Sequence, residues 1–127
     1  MAYGPELNDG KYRNFRLAVQ GIATEIGTGT ASSAAVTIND LAGLITTEDL
    51  TTAQNALATV TVTNSKVAVG DLVFVTVANG TNTQGTPVLT KVTPGPGSFV
   101  LLVANLHATA EAFNGTLKIG FFVVKAL

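Results

Sequence analysis

The sequence predicts an all-β domain, a sandwich or a closed barrel, preceded by an extended arm. Three observations predict it. Thr and Val are abundant from residue 17 onward, and both are β-branched residues that favour a pleated surface. Residues 58–63 (ATVTVT) and 72–78 (LVFVTVA) alternate with the two-residue period of a strand. Clusters of Gly, Asn and Pro break the apolar segments at short, regular spacing, as the turns of a sandwich or barrel do.

Residues 1–16 keep neither a helical nor a strand period and are read as an extended arm, either a frayed terminus or a segment that orders against a partner. They hold both tyrosines, the breakers Gly4, Asn8 and Gly10, and the cations Lys11, Arg13 and Arg16 against Glu6 and Asp9. Tyr and Arg are enriched where interfaces are energetically hot, so Tyr3, Pro5, Tyr12, Arg13, Phe15 and Arg16 are the candidate partner-binding residues. Residues 17–127 form the β-domain. Its expected strands are 17–24, 34–38, 44–46, 58–63, 72–78, 88–92, 98–105 and 116–124. Residues 46–58 read as loop with room for one turn of helix. Asn79-Gly80 opens a polar loop running to Pro87, and Pro94-Gly95-Pro96-Gly97 reads as a turn. Asn114-Gly115 is the strongest hairpin dipeptide, because both residues tolerate the positive φ of a type I′ turn.

Composition narrows the function. The chain has 127 residues, enough for one domain, with formal net charge -1 and only 12% charged residues against 46% hydrophobic. There is no global field for nucleic acid or an anionic membrane, and outside the arm Lys66, Lys91, Lys118 and Lys125 are scattered singly. Cysteine is absent and His107 is the single histidine, which removes thiolate chemistry and leaves little for a metal. The opening stretch has no signal-peptide pattern, and the long uncharged stretches are broken by Asn, Gly, Thr and Pro. The expectation is a protein soluble by itself or once assembled.

Candidate chemistry is sparse. His107 has Glu111 four residues on and is read as a hydrogen-bonded loop or strand-end histidine. Glu48-Asp49 is read as part of a solvated loop, and Asp71 as a turn residue bonding its own backbone. Gly27-Thr28-Gly29 lacks the Lys-Ser or Lys-Thr of a phosphate loop. Asn79-Gly80-Thr81 and Asn114-Gly115-Thr116 match the glycosylation pattern but double as turns. No acid, base and nucleophile converge, so no enzyme, cofactor, metal or small-molecule substrate is expected.

What the chain has in surplus is apolar strand surface. Residues 98–105 and 119–124 are hydrophobic on both alternating faces, and a two-layer sandwich buries only one face of each sheet. The covering expected for so small a domain is another copy of the chain, with Phe121, Phe122, Val123 and Val124 as candidate oligomer-interface residues.

Several segments resemble small β-domain structural proteins of tailed-phage virions. They are Leu50-Thr51-Thr52-Ala53, Thr59-Val60-Thr61-Val62-Thr63-Asn64-Ser65, Gly80-Thr81-Asn82-Thr83-Gln84-Gly85-Thr86-Pro87-Val88, Gly97-Ser98-Phe99, Asn105-Leu106-His107-Ala108 and Phe113-Asn114-Gly115-Thr116-Leu117-Lys118-Ile119-Gly120-Phe121. The resemblance spans about residues 45–124 and rests on strand and turn patterns. It implies a jelly-roll-like antiparallel β-sandwich that assembles as a homotrimer on the capsid surface of a virion made in the host cytoplasm. Capsid decoration, or cement, proteins of this kind clamp neighbouring major capsid proteins, often through a terminal arm. No family motif covers the arm, but by composition Tyr3, Pro5, Tyr12, Arg13, Phe15 and Arg16 suit that role and are the expected capsid-binding residues. The alternative is a tail-fibre or receptor-binding module displaying residues 79–87.

Overall fold

A computed structural model describes residues 26–126. The arm of residues 1–16, with Tyr3, Pro5, Tyr12, Arg13, Phe15 and Arg16, and the strand expected at 17–24 lie outside the described residues. Among the described residues there is no helix, and the strands are β1 (Ile26–Thr30), β2 (Ala35–Thr37), β3 (Ala42–Thr46), β4 (Leu57–Thr63), β5 (Leu72–Asn79), β6 (Pro87–Gly95), β7 (Ser98–Asn105) and β8 (Leu117–Val124). They form two mixed four-stranded sheets, ordered β1-β3-β8-β5 and β2-β4-β7-β6. Each strand of the second sheet is the sequence neighbour of the strand at the same place in the first, so the chain repeatedly steps between the layers.

The antiparallel expectation is corrected at one edge of each sheet. β1 runs parallel to β3 and β2 parallel to β4, whereas the other neighbouring pairs are antiparallel. The cause is the stepping itself. A chain that leaves one sheet, runs back along the other and then returns travels in its original direction again, so successive visits to the same edge are parallel.

The core lies between the layers. In β4 the alternation places Val60 and Val62 inside at 2% and 0% exposure and turns Thr59, Thr61 and Thr63 outward. In β7 the inward set is Phe99, Leu101 and Val103. β8 supplies Leu117, Ile119 and Phe121, and the Phe121 ring meets Phe99 edge-on with centroids 4.9 Å apart, a favoured aromatic geometry. Gly43 makes that position possible, because a Cβ there would overlap the Phe121 ring.

Sequence reading places no strand at β1. The glycines are there because β1 passes close to the next segment: a Cβ on Gly27 would stand 2.5 Å from Ile38, and one on Gly29 2.5 Å from Val36. Residues 46–58 form no helix. Pro96-Gly97 closes the β6–β7 hairpin, with Gly97 at φ 73°, the positive angle that a Pro-Gly type II turn requires of its second central residue.

Asn114-Gly115 is not the expected type I′ hairpin. Neither residue has positive φ, and Gly115 bridges to Leu50 instead. The turn with two central residues at positive φ is Ser33-Ala34, at 51° and 62°, between the bridged residues Ser32 and Ala35. Neither residue is a natural occupant of that region. Glu48 holds them there, its Oε1 accepting the Ala34 amide at 2.6 Å and its Oε2 the Ser33 amide at 3.1 Å. Glu48 is therefore half-buried and structural, not a solvated loop residue.

Candidate functional site

The outer faces of the two sheets differ in chemistry. On β2-β4-β7-β6 the outward positions are mixed: Thr37, Thr59, Thr61, Thr63, Lys91 and Thr93 stand beside exposed Leu57 and Val88 and half-buried Val100 and Leu102. On β1-β3-β8-β5 one end of the outer face is apolar: Ile26, Leu44, Leu72, Phe74, Phe122 and Val124 are between 39% and 62% exposed. The Phe74 and Phe122 rings stack with centroids 4.9 Å apart and planes 16° from parallel. Gly120 lies between Thr76 and Leu44 and leaves a shallow groove beside the stack. Toward the other end the face turns polar, with Lys118 Nζ donating to Thr46 Oγ1 at 2.7 Å.

β8 builds this surface because its apolar residues occupy both parities. Alternation divides the expected interface residues: Phe121 and Val123 lie in the core at 5% and 8% exposure, and Phe122 and Val124 lie on the outer face at 39% and 44%. Of the four expected interface residues, Phe121 and Val123 fill the space between the sheets, and Phe122 and Val124 are the two that present surface. Leu44, Leu72 and Phe74 join the outer pair. Sequence reading did not single them out, although Leu72 and Phe74 share one parity of β5, which reads apolar on both faces.

A second cluster sits where three loops meet beyond β7. Asn105, at 0% exposure, donates through Nδ2 to the carbonyls of Thr52 and Glu111, and its Oδ1 accepts the Thr86 amide at 3.0 Å and the His107 amide at 3.3 Å. Asn82, at 2%, donates to Asn79 Oδ1 and the Gln84 carbonyl and accepts the Asn114 amide. Asn114 in turn exchanges side-chain bonds with Thr83, and Thr81 with Thr116. The polar loop after Asn79 and the segment around Asn114-Gly115 are thus laced together. Both tripeptides that match the glycosylation pattern belong to this lacing.

His107 stands at the rim of the cluster. Its Nε2 is 3.2 Å from Glu111 Oε2 and its Nδ1 3.0 Å from Thr86 Oγ1. Because a carboxylate only accepts, the neutral ring carries its proton on Nε2, and Nδ1 then accepts from the Thr86 hydroxyl. That order resembles a nucleophile, base and orienting acid, and Thr86, 21 residues away in sequence, was invisible to spacing arguments. Acyl transfer also needs free donors for a developing oxyanion. Here the amides of Gly85, Thr86, Leu106 and His107 already donate, to Glu111 Oε1, Asn105 Oδ1, the Thr86 carbonyl and Asn105 Oδ1. The geometry is that of a hydrogen-bonded latch between loops.

Asp71 forms a comparable latch at the other end of the domain. Its Oδ2 accepts the Ala68 amide, as the turn reading expected, and also Lys125 Nζ, while Oδ1 accepts the Ala126 amide. The Lys125 ammonium first, then the two amides, lower the Asp71 pKa to about 2. The carboxylate thereby ties the segment after β8 to the turn before β5.

Among the described residues no group of His, Cys, Asp and Glu could hold a metal ion, and no helix is long and apolar enough to cross a membrane. Gly27-Thr28-Gly29 is strand, not a phosphate loop. Comparison with known protein families, curated proteins and solved structures finds no match to this chain.

Proposed function

We propose that this chain is a structural virion protein, a homotrimeric capsid decoration protein that clamps neighbouring major capsid proteins and stabilises the phage head. The reading takes the two four-stranded sheets, mixed by a parallel pair at one edge of each, as a variant of a jelly-roll-like sandwich. The single observation that carries the reading is the uncharged, apolar end of the β1-β3-β8-β5 outer face, centred on the Phe74–Phe122 stack. Exposed apolar patches rimmed by polar residues mark association surfaces, and a chain with so little charge depends on covering them. The resemblance of about residues 45–124 to virion proteins supplies the setting.

In this reading the outer face joins the copies, and Tyr3, Pro5, Tyr12, Arg13, Phe15 and Arg16 engage the capsid. Weak footprints on one rigid trimer become a strong clamp, because each contact raises the effective concentration of the next. Neither the loop latch nor the Asp71 latch performs chemistry; both hold the ends of the sandwich rigid.

Quantitative mass spectrometry of purified particles tests the assignment. A copy number approaching that of the major capsid protein is expected, since only the shell lattice offers so many equivalent sites. A handful of copies would move the protein to a tail or fibre, and absence from particles would overturn a virion role.

A further inference from the structure

The outer face of β2-β4-β7-β6 carries an apolar surface of its own, which neither the core nor the latches use. It runs down β7, whose outward residues Val100 and Leu102 are half-buried, and broadens at the end of that strand. There Ala104 pairs with Leu57 of β4 on one side and with Val88 of β6 on the other. Residues paired directly across a ladder share a face, with Cβ atoms about 5 Å apart. Leu57 and Val88 therefore shelter Ala104, which is 3% exposed, and are themselves 55% and 36% exposed. Leu106 continues the column: its amide donates to the Thr86 carbonyl, one row beyond the pairing of Pro87 with Asn105, and its side chain is 52% exposed. The result is a short ridge with Leu57 and Leu106 at its crest, bordered by Thr59 and Lys91.

We propose that copies of this chain join head to tail, the Leu57–Leu106 ridge of one copy seated in the groove beside the Phe74–Phe122 stack of the next. This rests on the self-association reading above and deepens it by naming the second surface. Ridge and groove are diagonally placed on each copy. They lie on opposite sheets, and the strand directions set them at opposite ends of the sandwich. The groove is at the start of β5 and the end of β8, beside the Asp71 latch; the ridge is at the start of β4 and the end of β7, beside the loop latch. One domain therefore cannot cover its own groove with its own ridge, but a neighbour can. The shapes correspond: the groove has a volume of about 370 Å³, a floor that includes Gly120 and walls of Leu44, Phe74 and Phe122, which admit leucine side chains. Both surfaces are built from uncharged side chains, so no hydrated charge is stripped of water when they meet. A groove-on-groove contact would leave the ridge bare in every copy. The head-to-tail contact covers both surfaces with one kind of interface and generates the closed ring that a cyclic trimer requires.

Mixing two variants of the full chain tests this. Phe74→Ser with Phe122→Ser removes the groove walls and leaves the ridge, and Leu57→Ser with Leu106→Ser removes the crest and leaves the groove. By sedimentation equilibrium each variant should be monomeric at concentrations where the parent assembles. An equimolar mixture, with one variant fluorescently labelled, should double in mass to a one-to-one heterodimer and grow no further, because one groove and one ridge remain between the two chains. A single contact lacks the reinforcement of a closed ring, so the mixture is measured up to about 1 mM. Unchanged β-sheet circular dichroism shows that both variants fold, and Leu106→Asp, which alters a residue outside the strands, replaces the ridge variant if that one does not. A ridge variant that assembles like the parent overturns the head-to-tail contact and leaves self-association through the groove standing. Two monomeric variants that stay monomeric when mixed also overturn it. A groove variant that assembles like the parent, or a parent monomeric at every concentration, overturns both this contact and the reading on which it rests.

Discussion

Replacing Phe74 and Phe122 together by serine should separate association from folding. The two rings are 50% and 39% exposed in the single chain. With about 200 Å² for a whole Phe, roughly 100 and 80 Å² remain for a partner to cover. At about 25 cal/mol per Å² the pair then contributes roughly 4.5 kcal/mol to association, a factor above about 1000 in the dissociation constant. Within the monomer the loss is smaller, because the stacked pair already covers one part of itself and the core residues Phe121 and Val123 are untouched. Sedimentation equilibrium over a wide concentration range reads the first effect and urea unfolding the second. The expected result is a variant that is monomeric at concentrations where the parent is assembled, with its β-sheet circular dichroism unchanged. If the doubly substituted chain assembles with the parent's affinity, the outer face of β1-β3-β8-β5 is not the association surface.

Other outcomes follow from the latches. Glu48→Ala removes the acceptor that holds Ser33 and Ala34 at positive φ and should cost about 2 kcal/mol in urea unfolding. Ala34→Gly, which relieves one of those residues, should gain about 1 kcal/mol. Asn105→Ala strands two carbonyls and two amides at a fully buried site and should cost about 4 kcal/mol or more, read as a fall in Tm. For Asp71 the folded pKa of about 2 lies below the ordinary carboxylate value of 3.8, so its stabilisation is complete above about pH 4 and is lost as pH falls toward 2. The stability difference between the parent and Asp71→Asn should accordingly be largest near neutral pH and shrink through that window in pH-dependent unfolding.

The strands most legible in the sequence were those whose burial is decided by alternation. β4, β5, β7 and β8 lie within a residue or so of their expected bounds, because one parity of each faces a core that only apolar side chains fill. β1 was illegible for the opposite reason: its glycines respond to the close passage of Ile38 and Val36, contacts that spacing along the chain does not reveal. The turn chemistry misled in both directions. Asn114-Gly115 has hairpin residues but is bonded instead to the loop after Asn79, and Ser33-Ala34 lacks them but is held in the turn by a carboxylate fourteen residues on.

The sequence by itself determined that the chain is all-β, rich in apolar strand surface and poor in convergent chemistry, since these depend on residue types and a two-residue period. Only the tertiary structure decided which side of β8 meets the core and which meets solvent. Phe121 and Phe122 are adjacent and chemically identical, and one packs on Phe99 while the other stacks on Phe74. Strand order, the parallel edges and the loop latch of Thr86, His107 and Glu111 are likewise products of non-local pairing. They depend on which segments the shared core brings together, and that is set by packing in three dimensions.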